Sequence, residues 1–465
     1  MPINSFLYPG AKFIPGYEVA NSCRFNQGDS PYMHITRSSA DGTAGRKSTI
    51  SFWFKRVNTA DTQYVFHCGS PNYTHIYISS GGSLCMYDSG DNITWSTSAK
   101  LRDYSAWYHA VIKIDTTQGS NADRVKFYLN GTTEMAYASY GTVSEDTQLK
   151  FGNAVKHTVG RRDDNSSDYF DGYLAEFCFI DGSALAPTEF GEYDEDTPTI
   201  WKPKDVSGLT FGTNGFYLDF EDSSALGNDA NGGTDLTVSG LAAIDQTTDT
   251  PTNNFCTMNP LNVFQYNFTF SEGNLKLANT DNNWNGASGT IAINKGKWFF
   301  EAKYTGSSNL QHFYVGFTGI EAQNASDATR NSVAFYNNDG GEVAVSDVSN
   351  NASTTADYGT FAQNDIIGVA LDYDNELISF YKNGSAIVTD FDFGATTYPS
   401  GLTDGKLLSP YVGHYASSDI VLNFGNPPFS ISSGNADDNG YGNFEYDVPT
   451  GYLALCTKNL GSDGG

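Results

Sequence analysis

At 465 residues the chain exceeds what one hydrophobic core supports, since single cores stop growing near ~250–300 residues, so two domains are the first expectation. Its formal net charge of −27, from 26 basic against 53 acidic residues, argues against nucleic acid as a partner and against insertion into a membrane or binding to an anionic one. Aromatic residues at 14% and 48 glycines suit short strands closed by tight turns and exclude a disordered chain.

The first 20 residues, broken by Pro2, Pro9 and Pro15, read as an extended arm that lies on a neighbouring subunit or particle. They hold no basic region followed by an apolar stretch, and no later run approaches the ~18 apolar residues of a membrane span, so the expectation is a chain made and left in a cytosol. From Ser48 the pattern is strand after strand: TISFWFKR, QYVFHCG, THIYIS, SLCMYD, AWYHAVIKID, RVKFYLNG, HTVGRR and GYLAEFCFIDG. Each alternates apolar with polar residues and closes on Gly, Asp, Asn or Ser, the signature of a β-sandwich over residues 21–200. Residues 201–261 change character, with DSSALGNDANGGTD and DQTTDTPTNNF reading as a turn-rich connector that carries little core, so the two halves are expected to fold separately.

Strands resume with WFFEAKY, HFYVGFTG, SVAFYN, DIIGVALDYD, LISFYKNG, LLSPYVGHY and DIVLNFG, a second antiparallel sandwich over residues 262–448, followed by a tail at 449–465. Asn383-Gly384 supplies the positive-φ turn of a two-residue hairpin, as does Asn130-Gly131 in the first half. A related phrase closes each half, PTNNFCTMNPL at 251–261 and PTGYLALCTKNL at 449–460, which points to two equivalent docking strands or a duplicated joining element. The fold class is therefore all-β, two jelly-roll sandwiches in tandem. Cys23, Cys68, Cys85, Cys178, Cys256 and Cys456 form no CxxC pair and read as buried thiols.

Few residues invite catalysis. Glu192-Tyr-Asp194-Glu195-Asp196 places acids at alternate positions as some glycosidases do, but it lacks a strand's apolar alternation and runs into Thr-Pro-Thr. Gly42 to Ser48 imitates a phosphate loop with Arg46 breaking the Gly-Lys step and a strand where a helix is needed. The seven histidines are dispersed and no GxSxG elbow occurs, so no enzyme is expected. Flat rings beside Asn and Asp suit sugar binding, which makes Tyr73, Tyr87 and Trp95, and Tyr336 with Asn337, Asn338 and Asp339, candidate glycan-binding residues alongside their plainer reading as core or hairpin residues.

SCRFNQGDSPYMHITR, TISFWFKR, AWYHAVIKID, RVKFYLNG and GRRDDNSSDYFDGYLAEFCFIDG follow one another as in laminin-G-like, concanavalin-type jelly rolls, which residues 20–200 resemble. KWFFEAKY, YVGFTG, DIIGVALDYDNELISFYKNG and PYVGHYASSDIVLNFG resemble a SPRY domain over residues 262–430, which implies a binding module whose loops recognise a partner. The first resemblance implies a calcium site in the loop holding Asp163, Asp164, Asn165, Asp168 and Asp171, set against an ordinary solvated turn. The whole arrangement is similar to virion proteins of tailed phages, above all those from marine hosts. That resemblance implies a structural virion protein on the particle surface, in contact with other virion proteins and with a host surface polysaccharide or receptor, and assembled as a homo-oligomer, with a trimer favoured. The alternatives are a glycan-active enzyme on the concanavalin-like fold and a cellular adhesion or scaffold protein using SPRY for protein partners.

Overall fold

The computed structural model describes residues 16–40, 43, 45–57, 61–163, 168–264, 268–279, 283–306, 312–320, 331–337, 340–346, 352–354, 357–395, 406–415 and 418–461. Two antiparallel sandwiches stand in tandem. In the first, one sheet runs Gln246–Thr247, Ser22–Phe25, Gly172–Asp181, Lys47–Arg56, Trp107–Asp115 and Val125–Leu129, with Phe216–Leu218 also paired to Gly172–Asp181. The facing sheet runs Tyr137–Ser139, Ile93–Thr97, Leu84–Asp88, Thr74–Ile78, Gln63–Cys68, Lys156–Val159, Tyr32–Thr36 and Thr237–Ser239. Inward residues of both sheets, among them Phe52, Phe66, Ile76, Met86, Ile112, Phe177 and Phe179, form one core, as period-two alternation requires.

The segment read as a connector is part of this sandwich. Phe216–Leu218, Thr237–Ser239 and Gln246–Thr247 each add to one of its sheets, and Phe216, Leu218, Phe220, Leu226 and Leu236 enter its core. Its apolar residues are sparse, but nearly all of them are used. A third layer covers the other face of the first sheet: Phe190, Val206 and Phe211 pack on Val111, Cys178 and Ile180, and Val19 and Trp201 pack on Trp53, Trp107 and Ala175. This is why Gly172–Asp181 is buried at every position.

In the second sandwich one sheet runs Met258–Phe264, Trp284–Gly289, Leu408–Tyr415, Phe313–Gly319, Ser332–Asn337, Glu342–Ser346 and Ala352–Thr354. Its partner runs Thr269–Ser271, Lys276–Asn279, Ser418–Asn423, Lys297–Tyr304, Ile366–Asp372, Leu377–Lys382 and Ser385–Asp392. Asn383 (φ 48°) and Gly384 (φ 78°) close the last hairpin with both residues left-handed, the turn that matches strand twist. The tail also belongs to the sandwich, since Leu453–Ala454 pairs in parallel with Lys297–Tyr304.

The two related phrases bind each other. Phe255 bridges Cys456, the Cys256 amide donates to Leu455 O at 2.8 Å and the Thr457 amide donates to Asn254 O at 3.0 Å. They form one antiparallel seam, not two separate docking strands. Beside it the sandwiches meet through buried polar groups: Lys55 with Asp249, Asn254 and Phe255, Arg24 with the Pro427 carbonyl, and Tyr173 Oη with Gly273 O at 3.0 Å. Residues 16–20 dock on the same chain, with Val19 N donating to Thr252 Oγ1 at 3.1 Å and Lys458 pairing with Glu18 at 2.7 Å. Residues 1–15 of the arm lie outside the described residues.

Candidate functional site: two aromatic faces

On the facing sheet of the first sandwich, strand register sets aromatic residues side by side on the side away from the core, where Tyr64, His67 and His75 are buried and Tyr73, Tyr77 and Tyr87 are half-buried. Tyr64 lies opposite Tyr77, His67 opposite His75, and His75 opposite Tyr87. With Tyr73 just before its strand, six rings form a ladder whose neighbouring centroids lie 4.9–6.1 Å apart. Arg162 spans its upper edge, 5.4 Å from the Tyr73 ring and 5.6 Å from that of Tyr64, and donates to Tyr73 Oη at 3.1 Å. Arg161 lies 3.7 Å from the Tyr32 ring on the same side of the sheet. Tyr73 and Tyr87 are half-buried, and Tyr87 Oη donates to Asn92 Oδ1 at 2.9 Å. Burial pushes the Tyr77 hydroxyl well above its ordinary range, so it remains a neutral donor.

The structure thus brings two of the expected residues, Tyr73 and Tyr87, onto one surface and removes the third. Trp95 lies opposite Met86 with 0% exposure, so its ring packs the core and offers no face to a sugar. Tyr64, His67, His75 and Tyr77 are not legible in the sequence as one face, because Tyr64 and His67 are three residues apart and only the bulge between Tyr64 and Phe66 brings them to the same side.

The second sandwich carries a matching surface. Tyr314 and Tyr336 stack at 4.3 Å with planes 10° apart, and Trp284 lies 5.2 Å from Tyr314 and 5.7 Å from Tyr415. His312 joins through its Nδ1, 3.4 Å from Tyr336 Oη. All five are half-buried. Asn337 points the other way, fully buried, its amide exchanging bonds with the Phe361 backbone at 2.8 and 3.2 Å. Asn338 and Asp339 lie outside the described residues.

The calcium loop fits a cation poorly in its described part. Asp163 accepts from Lys156 at 2.8 Å and Arg161 at 2.6 Å; burial raises its carboxyl, but these two cations outweigh burial and hold it below the usual range. Asp168 lies 3.8 Å from Arg162, and Asp171 is buried elsewhere, pushed up to about 7 by loss of solvent. Asp164 and Asn165 lie outside the described residues, and among the described residues no three acidic, His or Cys side chains are placed to hold a metal ion.

Two constellations have the look of chemistry. Ser51 Oγ and His109 Nε2 are 2.8 Å apart, a nucleophile-base distance. Trp201 Nε1, which can only donate, lies 2.9 Å from His109 Nδ1, so Nδ1 accepts and Nε2 carries the proton. The imidazole therefore donates to Ser51 and has no lone pair with which to activate it. Burial drives its pKa down to about 3. Glu176 sits at a strand bulge with φ 47° and accepts from Tyr217 Oη at 2.7 Å and Tyr17 Oη at 3.0 Å; burial pushes it up to about 7. In Glu192 to Asp196, Asp194 caps a hairpin turn by accepting from the Asp196 and Thr197 amides.

Against known proteins, residues 27–189 match the family model of the concanavalin A-like lectin/glucanases superfamily, and residues 297–427 match that of the SPRY domain. The chain carries these two domains in tandem. Among solved structures it is similar to the SPRY domain of human HERC1, at 16% identity and a TM-score of 0.29 over 36% of this chain and 96% of that one. It is also similar to the LG4-5 domains of mouse laminin alpha1, at 9% identity and a TM-score of 0.30 over 91% and 93%. A heptameric SAP-like pentraxin from Limulus polyphemus matches at 19% identity and a TM-score of 0.25, over 37% and 75%. No match is found among curated proteins.

Proposed function

We propose that this chain is a non-catalytic attachment protein in which two docked β-sandwich domains present aromatic faces to surface glycans. The observation that carries the reading is the ring ladder of the first sandwich, whose half-buried members Tyr73, Tyr77 and Tyr87 stand over buried Tyr64, His67 and His75 with Arg162 at its edge. Rings aligned across strands bind the C–H faces of sugars with little ordering cost, because the sheet already holds them. From the resemblance of its sequence to virion proteins of tailed phages, we further propose a place on the outside of a particle, assembled there as a homo-oligomer, with a trimer favoured, among other virion proteins. Purified chain probed against arrayed bacterial surface polysaccharides tests the binding. Wild type is expected to bind at least one and to release no reducing sugar, and Tyr73→Ala with Tyr87→Ala is expected to weaken binding about tenfold or more. Absence of binding, or equal binding by the double variant, defeats the reading.

The Trp284, Tyr314, Tyr336 and Tyr415 surface favours a second reading, adhesion through a protein partner. Clustered, half-buried tyrosine and tryptophan rings are the composition of protein interfaces. Tyr314→Ala that abolishes particle or cell attachment while glycan binding stays intact would establish it.

A further inference from the structure

Arg56 and Arg102 line a cleft of about 340 Å³ together with Gly81, Tyr104 and Leu261, and Lys100 stands at its edge beside Gly81. Arg56 is buried in the wall, where its Nη1 donates to the Leu101 carbonyl, its Nε to Gln63 Oε1 at 3.5 Å, and its guanidinium lies 5.4 Å from the Tyr104 ring. Arg102 is exposed, and Lys100 donates to Ser83 Oγ at 2.5 Å. Among the described residues no carboxylate forms an ion pair with any of the three, and the adjacent Asp103 is turned to Ser105, from which it accepts at 2.6 and 2.8 Å. In a chain of 26 basic and 53 acidic residues, three cations together without a counter-ion call for an acidic partner from outside. The hairpin joining Gly191–Tyr193 to Trp201–Pro203 has the complementary surface. Glu195 and Asp196 are exposed at its tip and form no ion pair among the described residues. Asp194, accepting from the Asp196 and Thr197 amides, and the Ile200 amide, donating to Thr197 O at 2.8 Å, hold the tip in shape. A single exposed apolar residue is ordinary, but of the four large ones among the described residues three belong to these two patches: Leu261 at 69%, Ile200 at 54% and Tyr193 at 40%.

We propose that the cleft docks the hairpin tip at residues 193–200 of a second copy of this chain, with Glu195 and Asp196 facing its arginines and Ile200 packing on Leu261. Two copies, each at −27, repel at long range, so they meet only where opposite charges are set against each other locally. Arg102 makes the contact from the exposed rim. Arg56, removed from water in the wall, adds a positive charge that the low dielectric around it screens weakly. The turn is already closed before docking, which keeps the ordering cost small. The two patches are different surfaces of one chain, so the contact runs head to tail, the kind that closes into rings such as a trimer. The proposal rests on the homo-oligomer reading and names its contact; it does not involve the ring ladder, so variants at Tyr73 and Tyr87 leave it intact.

Analytical ultracentrifugation of the full-length protein over a range of concentrations tests the proposal. Wild type is expected to form an oligomer that dissociates on dilution. Arg102→Glu and Glu195→Arg each place like charges across the contact and are expected to weaken association about tenfold or more, and Leu261→Asp to do the same by removing the apolar anchor. All three residues are exposed, so the variants are expected to keep the fold, which circular dichroism checks. The double variant Arg102→Glu with Glu195→Arg restores opposite charges and is expected to regain association, which a role of either residue within its own chain would not produce. An oligomer that survives Arg102→Glu and Leu261→Asp, or single losses that the double variant does not recover, overturns this contact and leaves the homo-oligomer reading standing. A wild type that stays monomeric at every concentration overturns both, and glycan binding by the ladder is unaffected in either case.

Discussion

Lys55 Nζ lies 2.7 Å from Asp249 Oδ2, and neither side chain is more than 1% exposed. The ammonium also donates to Asn254 Oδ1 at 2.8 Å and to Phe255 O at 3.3 Å, and the carboxylate accepts from Trp107 Nε1 at 3.0 Å. Two charges removed from water are tolerable only when every donor and acceptor is matched, and here the matching groups come from the first sandwich, the seam and the second sandwich. The pair fixes how the domains dock more than it stabilises either one.

Removing one partner strands the other. Lys55→Met is expected to destabilise the protein by about 3–5 kcal/mol, whereas Lys55→Met with Asp249→Leu costs much less because no buried charge is left alone. Urea denaturation of the single and double variants checks this. Equal losses in both would mean that shape, not charge pairing, sets the joint.

A fragment beginning at residue 262 cuts the Met258–Phe264 strand and discards Phe255, Cys256 and Met258, all buried in the second sandwich or its seam. Residues 253–465 are expected to unfold cooperatively and to exceed residues 262–465 in stability by about 3 kcal/mol or more. Thermal melts of the two fragments decide it. Equal melting temperatures would restore a boundary at 261.

Much of this was legible in the sequence. Period-two alternation and Asn-Gly turns gave both sandwiches, and the same alternation in Ile93-Thr-Trp95-Ser-Thr97 places Trp95 with Ile93 on the inner face, against its reading as a glycan contact. The connector was misread because turn residues dominate its composition, while its few apolar residues are added to sheets formed by distant strands. Lys55 alternates with Trp53 and Ser51 on a face that a half-buried sheet would leave to solvent. A third layer, invisible to local pattern, covers it.

Trp95 and Tyr87 separate packing from surface. Trp95→Ala is expected to cost about 3–5 kcal/mol through the cavity it leaves, and Tyr87→Ala about 1 kcal/mol or less. Chemical denaturation measures both. A small loss at Trp95 would contradict its place in the core.

The last prediction concerns pH, where two sets of buried groups oppose each other. Burial raises Glu176, Glu301 and Asp171 to about 7, so the folded state holds protons that the unfolded chain has released, and stability falls as pH rises from about 4.5 to 7. Burial lowers His109 and His414 to about 3 and His157 to about 4, so the unfolded chain takes up protons below about 6.5 and stability falls as pH drops. Between about 4.5 and 6.5 the slopes, each up to ~1.4 kcal/mol per pH unit and group, oppose each other. Glu176→Gln keeps an acceptor for Tyr17 and Tyr217 but cannot titrate, which removes one slope that falls with rising pH. Its urea midpoint is expected to drop more steeply toward acid across that window than that of wild type. A variant with the wild-type pH profile would mean that Glu176 is ionised in the folded protein and that its two tyrosine donors, not a proton, satisfy it.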